Sequence, residues 1–457
     1  MPIYVNRLLN MKKIKVVGFD MDYTLSAYDT NVFEGFVHSL ASARLVKRFG
    51  YPPPVEQLEF FPDRAIVGLV IDRRNGNLLK LNRFGKVKIA FHGLESIDFR
   101  EHGRLYRERV VDLRDPDFQC LDTAFAISQG VLFAQIVQLK KEGLPIPDFG
   151  RIDADVKLCI DSLHSDGTIK DCLRENFSKY IVRDPKTASM LELLKTYGKK
   201  LLIITNSDYE YARDLLDFSL NPYWKKHKSW REVFDLVITL ADKPSFFEKQ
   251  HRFLRVDPES GAMTNHVGPV SSGIWQGGWF GDVRDGLNVE GNEILYLGDH
   301  IYGDVVSIKK SCDWRTGLVL NGMGKEIEIN RSTKGLQAEI DRLMDRKTLL
   351  EKEANEAEMT RHLGRKTHIS EKLMEEQNRL NNQISRLLDE LRMHYNPWWG
   401  EILRAGSEES RYADQVINYA CIYMTRVSAL GEYSPHTYFR PRRRLLAHEV
   451  ISPTDSP

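Results

Sequence analysis

A chain of 457 residues is long enough for about three domain-sized units, with a core that needs no covalent staples. Its 65 basic and 64 acidic residues leave a formal charge of +1, which excludes a global electrostatic pull toward nucleic acid or a membrane surface. Five scattered cysteines without a Cys-x-x-Cys pair argue against a zinc site or a disulfide framework and point to a reducing compartment. The first residues carry Arg7, Lys12, Lys13 and Lys15 but no apolar signal core. No apolar run approaches the ~20 residues of a membrane span, so a soluble cytoplasmic protein is expected.

The first informative stretch is Val16-Val17-Gly18-Phe19, an apolar run that stops at Asp20-Met21-Asp22-Tyr23-Thr24-Leu25. It reads as a buried parallel strand carrying two carboxylates to the carboxyl edge of an open sheet. Taken alone, Asp-x-Asp is equally compatible with an acidic turn. Phe33, Phe36, Val37, Leu40 and Leu45 recur at helical spacing until Tyr51-Pro52-Pro53-Pro54 ends the pattern. Short strands follow at Ile66–Asp72, Leu78–Leu81 and Val87–Ala90, with a hairpin turn at Asn75-Gly76-Asn77. Helical and loop-like stretches fill Leu121 to Tyr180. Because residues 32–183 separate two strands of one expected sheet, they read as an insertion, a cap over the first carboxylates.

The sheet resumes after a helix opened by Asp184-Pro185 and closed by Gly198. Leu201–Ile204 is a second buried strand and runs into Thr205-Asn206-Ser207, which starts a helix from Asp208 to Leu216; such a helix start suits an anion. A third strand, Phe234–Leu240, leads to Asp242-Lys243-Pro244, and Gly273–Phe280 reads as a glycine and aromatic loop. A fourth strand, Glu293–Leu297, ends in Gly298-Asp299-His300-Ile301-Tyr302-Gly303-Asp304, and Trp314–Leu320 is a fifth. Alternating strands and helices imply an α/β, doubly wound, Rossmann-like sheet. From about Ser332 the composition turns to Glu, Lys, Arg, Leu and Gln. Leu380, Ile384, Leu387 and Leu391 suit either a helix packed on its own core or an oligomer contact. A further helix is expected over Arg411–Leu430, and Arg440–Arg444 is a solvated tail, an interface or an anion patch. The expected division is 1–31 and 184–331 for the sheet domain, 32–183 for an α+β cap, and 332–457 for a helical C-terminal region.

These strand ends suit phosphoryl transfer from a monoester, which needs a nucleophile, an acid for the leaving oxygen and cations around the phosphoryl group. Asp20 can attack phosphorus and Asp22 can act as acid and base. Asp299 and Asp304 add hard oxygen ligands suited to Mg²⁺, Lys243 supplies positive charge, and Thr205 and Asn206 can donate to phosphoryl oxygens. Singly, Thr-Asn-Ser is also an ordinary helix cap and Asp-Lys-Pro an ordinary turn.

Asp20-Met21-Asp22-Tyr23-Thr24-Leu25, Thr205-Asn206-Ser207, Lys243 and Gly298–Asp304 together resemble the four motifs of the haloacid dehalogenase (HAD) superfamily of phosphatases. Their spelling resembles the cytosolic purine 5′-nucleotidases that prefer inosine and guanosine monophosphates (IMP and GMP). Tyr51-Pro52, Gly76–Lys80, His92-Gly93, Lys243-Pro244 with Phe246-Phe247, and Gly268-Pro269 are further local matches. The resemblance spans most of residues 14–320 and continues more weakly through the helical end. It implies a HAD-like core and a Mg²⁺-dependent nucleotidase. Asp20 would be the nucleophile and a metal ligand, and Asp22 the acid/base, lending its backbone carbonyl to the metal. Asp299 would ligate the metal, with Asp304 in support. It also places the nucleotide against Lys157, Asp161, His164 and Lys170 of the cap, with Thr205, Asn206 and Ser207 below; Lys157 stands where the family carries an arginine, which removes bidentate recognition there. Tyr302 would stack on the base or pack in its own loop.

The expected substrates are purine nucleoside monophosphates, with a nucleotide or polyphosphate effector and a homo-oligomer, a tetramer by resemblance. Competing readings are a nucleoside phosphotransferase using the same site, a superfamily phosphatase for sugar phosphates, and a catalytically silent assembly protein.

Overall fold

The computed structural model describes residues 2–363 and 371–449. Residues 364–370 and 450–457, inside the expected helical C-terminal region, lie outside the described residues. The chain divides into two compact units, one of residues 1–322 with 402–441 and a second of 323–401 with 442–457.

In the first unit the chain enters a central strand, β1 (Val16–Phe19), then a two-residue strand, β2 (Ala27–Tyr28), and the long helix α1 (Thr30–Phe49). Asp29 caps α1 by accepting from the Val32 N–H, and Phe33, Val37, Ala41 and Leu45 form its buried stripe, the period that the sequence displays. The insertion continues as a five-stranded antiparallel sheet, in the order Glu95–Ser96, Val87–His92, Asn77–Leu81, Leu69–Asp72, Phe118–Leu121. Helices α2 (Ile127–Lys141), α3 (Phe149–Ser165) and α4 (Thr168–Glu175) follow, with a single turn at Phe177–Tyr180. It closes at β3 (Ile181–Val182), which pairs antiparallel with β2, Tyr28 opposite Ile181. The β2–β3 ladder is therefore the root through which the chain leaves the central sheet and returns.

The core resumes with α5 (Pro185–Thr196), capped by Asp184, then β4 (Lys200–Ile204), α6 (Tyr209–Ser219), β5 (Leu236–Thr239), β6 (Gly273–Gly277), β7 (Ile294–Gly298), β8 (Arg315–Val319) and β9 (Ile422–Met424). The parallel strands run in the order β9-β8-β7-β1-β4-β5-β6, with short antiparallel strands at both edges. Since β1 lies between β7 and β4, the chain reverses its winding direction there, the place where open α/β sheets put ligands. Register makes this concrete: Phe19 lies opposite both Ile203 and Leu297, so Asp20, Thr205 and Asp299 emerge along one edge. Every residue of β1 and β7 is buried, as expected of strands covered on both faces. Gly18 has a steric reason: a Cβ there would meet the Tyr296 ring at 2.8 Å.

Two segments depart from the sequence reading. Gly273–Gly277, read as part of a loop, is β6, parallel to β5 and buried through Trp275; glycines at its ends hide the apolar alternation of Ile274 and Trp275. The expected helix over Arg411–Leu430 stops at Tyr419, and Ile422–Met424 joins the central sheet beside β8. Residues 402–441 group with the sheet unit.

The second unit contains α7 (Lys334–His362) and α8 (Glu371–His394). Leu343, Leu350, Leu380 and Ile384 form their shared core, with Leu373 and Leu387 against it. Hydrogen bonds from the Gln377 side chain to the Leu350 carbonyl and from the Tyr395 hydroxyl to Asn330 fit an antiparallel packing, the later residue on one side meeting the earlier on the other. The apolar spacing on α8 thus serves this intrachain core.

Candidate active site

Asp20 directly follows β1 and is buried. Its Oδ1 accepts from its neighbour's backbone, Met21 N–H, at 2.8 Å and from Lys243 Nζ at 2.9 Å, whereas Oδ2 has no hydrogen-bond donor among the described residues. Lys243 Nζ also reaches Asp304 Oδ1 at 2.8 Å and the Tyr296 hydroxyl at 3.0 Å. Tyr296, placed in the space that Gly18 leaves, donates in turn to the Ile204 carbonyl at 2.7 Å. Oxygens of Asp20, Asp299 and Asp304 all lie within 4.8 Å of one another. Gly298 makes this approach possible, since a Cβ there would come within 2.2 Å of the Asp304 carboxylate.

Three buried acids around one ammonium set the electrostatics. Burial, aided by Asp304 and Asp22 and opposed by Lys243, pushes the Asp20 carboxyl up to about 7. Asp299 is driven well above the ordinary carboxylate range by burial and by the charges of Asp20 and Asp304. Burial works against the Lys243 ammonium, yet the attraction of Asp20 and Asp304 prevails and holds it well above its usual range. The group is short of positive charge. Buried hard oxygens at this separation suit a divalent cation such as Mg²⁺, which would be held by Asp20, Asp299 and Asp304.

Asp22 stands apart from that cluster. Its Oδ1 accepts from the Tyr28 hydroxyl at 2.6 Å and its Oδ2 from Ser207 Oγ at 2.9 Å. Burial raises its carboxyl while these two hydrogen bonds and the cations of Lys170 and Lys243 lower it, with a net upward shift.

A cavity of about 610 Å³ opens above these groups. Of the residues anticipated from sequence, Asp20, Asp22, Thr205, Asn206, Ser207, Lys243, Asp299 and Asp304 line it from the sheet edge, and Asp161, His164 and Lys170 from the insertion. Several also make contacts within the protein. Asn206 is tied to the Lys243 backbone in both directions, donating to its carbonyl at 3.1 Å and accepting from its N–H at 2.7 Å, so it shapes the lysine loop. Ser207 holds Asp22. Lys170 is paired with Asp208 Oδ2 at 2.5 Å, on the residue that caps α6.

Two expected substrate contacts are not among the cavity-lining side chains. Lys157 lies on the exposed side of α3, paired with Asp161 at 2.8 Å one turn away, and Tyr302 is 44% exposed in the turn after Asp299. Conversely, sequence reading missed Thr123, whose hydroxyl donates to Asp299 Oδ2 at 3.0 Å, together with Tyr28, Phe33, Phe125, Ile169, Leu173 and Tyr211 on the walls. Phe125 meets the His164 ring edge-on at 5.7 Å. Burial lowers His164 to about 4, so it faces the cavity as a neutral imidazole.

A family model described as the 5′ nucleotidase family matches residues 3–451. The chain belongs to the 5′ nucleotidase family. It is a phosphoric monoester hydrolase, consistent with acids placed around a lysine at a sheet edge. Similar relatives include a 5′-nucleotidase domain-containing protein of Dictyostelium discoideum, 27% identical over 98% of this chain and 74% of that protein. The human 5′-nucleotidase domain-containing protein 2 is 26% identical over 98% and 85%. Similar solved structures include a HAD phosphatase from Thermococcus onnurineus, 16% identical over 68% of this chain and 87% of that one, TM-score 0.27. Another is a β-phosphoglucomutase from Pyrococcus, 11% identical over 67% and 86%, TM-score 0.31. Among the described residues no helix is long and apolar enough to cross a membrane.

Proposed function

We propose that this 5′ nucleotidase family member is a Mg²⁺-dependent enzyme hydrolysing 6-oxopurine nucleoside 5′-monophosphates, IMP and GMP, through an aspartyl phosphate on Asp20. The observation that carries this reading is the division of labour between the two aspartates: Asp20 lies against Lys243, with one oxygen free of donors among the described residues, while Asp22 is outside the acidic cluster, at hydrogen-bond distance from two hydroxyls.

Asp20 Oδ2 attacks phosphorus as the bond to the 5′ oxygen breaks, and the leaving oxygen takes its electron pair and the proton from Asp22. Water then attacks the phosphorus, Asp22 takes its proton back, and the Asp20–phosphorus bond breaks to free phosphate and restore both carboxyl groups. Bound Mg²⁺ supplies charge neutralisation for the phosphoryl oxygens in a site that its own acids would otherwise make repulsive. Lys243 adds a fixed positive charge, and Thr205, whose hydroxyl oxygen accepts from the Ser207 N–H at 3.1 Å, lines the same edge.

On the insertion side, neutral His164 lines the cavity, and its one ring N–H can donate to a purine 6-oxo group. Homo-oligomerisation as a tetramer, an activating nucleotide or polyphosphate, and residence in the cytoplasm belong to the same reading through the family resemblance. The test is phosphate release from inosine, guanosine, adenosine and cytidine monophosphates with and without Mg²⁺. Metal-dependent turnover of the first two above the others is expected; faster turnover of sugar phosphates, or activity indifferent to chelation, would overturn it.

A further inference from the structure

The Tyr28 hydroxyl lies 2.6 Å from Asp22 Oδ1 and 2.8 Å from the Tyr211 hydroxyl, and all three groups line the cavity. The two tyrosines come from different elements, Tyr28 from β2 at the root of the insertion and Tyr211 from the first turn of α6, and both are buried. Neither belongs to the acidic cluster around Lys243. Tyr28 is locked from every side: its ring stacks on Tyr23 at 4.8 Å, meets Phe33 at 4.9 Å, and its backbone pairs with Ile181 in the β2–β3 ladder.

We propose that Tyr28, steadied by Tyr211, is a positioning residue for Asp22, setting the carboxyl where it meets the leaving oxygen and tying that setting to the root of the insertion. The inference rests on the acid/base reading of Asp22. A carboxyl on a short side chain turns about two bonds, and the Ser207 contact alone leaves it a swing about that one hydrogen bond. A second hydrogen bond, to the other oxygen and from a hydroxyl whose ring cannot move, removes that freedom. A displacement of the order of an ångström at such a group costs about a hundredfold in rate. Because Tyr28 sits on the ladder that joins insertion and core, any shift of the insertion about its root moves the hydroxyl that Asp22 follows.

Tyr28→Phe keeps the ring packing and deletes only the hydroxyl. The informative measurement is the first turnover, by rapid quench, with two substrates that differ in their need for an acid. Inosine monophosphate expels an alkoxide that must be protonated, whereas p-nitrophenyl phosphate expels a phenolate that leaves without help. Release of inosine should fall by about tenfold to a hundredfold, with KM nearly unchanged. Release of nitrophenol should change by less than about threefold, since it draws nothing from a general acid. Tyr211→Phe should shift the same ratio in the same direction by a smaller factor, and thermal melting of both variants reports on folding.

Equal loss with both substrates, a rise in KM without a selective loss of inosine release, or no change at all would overturn the proposal. Asp22→Asn is run beside them. If it loses inosine release selectively while Tyr28→Phe does not, the positioning role alone fails. If Asp22→Asn itself shows no leaving-group selectivity, the acid/base reading fails and the positioning role falls with it.

Discussion

On the floor of the cavity, Asp20, Thr205 and Asp299 each directly follow a strand, and the register of β1 with β4 and β7 sets their spacing through backbone hydrogen bonds. The wall facing them is assembled differently. Phe33 comes from α1, Phe125 from a short turn after the accessory sheet, His164 from α3, and Ile169 and Leu173 from α4, all brought together by side-chain packing. A backbone ladder tolerates little change, so the floor is suited to chemistry that must not drift. A packed wall can exchange one apolar or polar side chain for another with small adjustments, so it is suited to choosing a substrate.

The strongest way to break this comparison is at Asp20, the proposed nucleophile. Asp20→Asn should reduce phosphate release by at least about a thousandfold while the protein stays folded, since it deletes the covalent route rather than a contact; near-normal turnover with inosine monophosphate would show that the floor does not carry the chemistry. Next comes the cation. Lys243→Met leaves Asp20 and Asp304 facing each other without compensation, and should lower stability by about 3 kcal/mol in chemical denaturation as well as suppress turnover.

Wall variants should behave otherwise. His164→Ala is expected to raise KM by about tenfold with little loss of kcat and to narrow the proposed preference for 6-oxopurines over adenosine monophosphate; a loss confined to kcat would place His164 with the floor. His164 also predicts a pH signature. Its value in the folded protein, about 4, lies below the ordinary 6.5, so between those limits the unfolded chain binds the proton that the folded chain refuses. Stability from this group is complete above pH 6.5 and is lost as pH falls toward 4, by an amount on the order of 3 kcal/mol. Urea midpoints measured across that range should fall less steeply in His164→Gln. The smallest effect is expected at Lys157: it is outside the cavity-lining set, and its exposed i,i+4 pair with Asp161 is worth a few tenths of a kcal/mol at most, so Lys157→Ala should leave KM within about twofold.

The floor was largely legible in the order of residues, because a buried parallel strand must be an apolar run and whatever follows it must emerge at the carboxyl edge. Asp20, Thr205, Lys243, Asp299 and Asp304 could be read in that way, and so could the hairpin at Asn75-Gly76-Asn77. β6 was not, since its glycines imitate a loop, nor was β9, which lies over a hundred residues beyond β8 and has only three residues. Thr123, Phe125, Tyr28 and Tyr211 belong to no local pattern; each is ordinary in its own segment and acquires a role only beside residues far along the chain.

Local order alone therefore determined the alternation of strands and helices, the acids and the lysine at the strand ends, and the class of reaction they suit. Tertiary structure decided which hydroxyls hold Asp22, that Asn206 shapes the Lys243 loop, that Lys157 pairs with Asp161 without itself lining the cavity, and which aromatic rings line the cavity with the strand-end acids. The reason is physical. Strand periodicity and the polarity of a sheet edge are short-range consequences of backbone geometry, whereas a hydrogen bond between Tyr28 and Tyr211 spans 183 positions and exists only once the insertion has closed on its root.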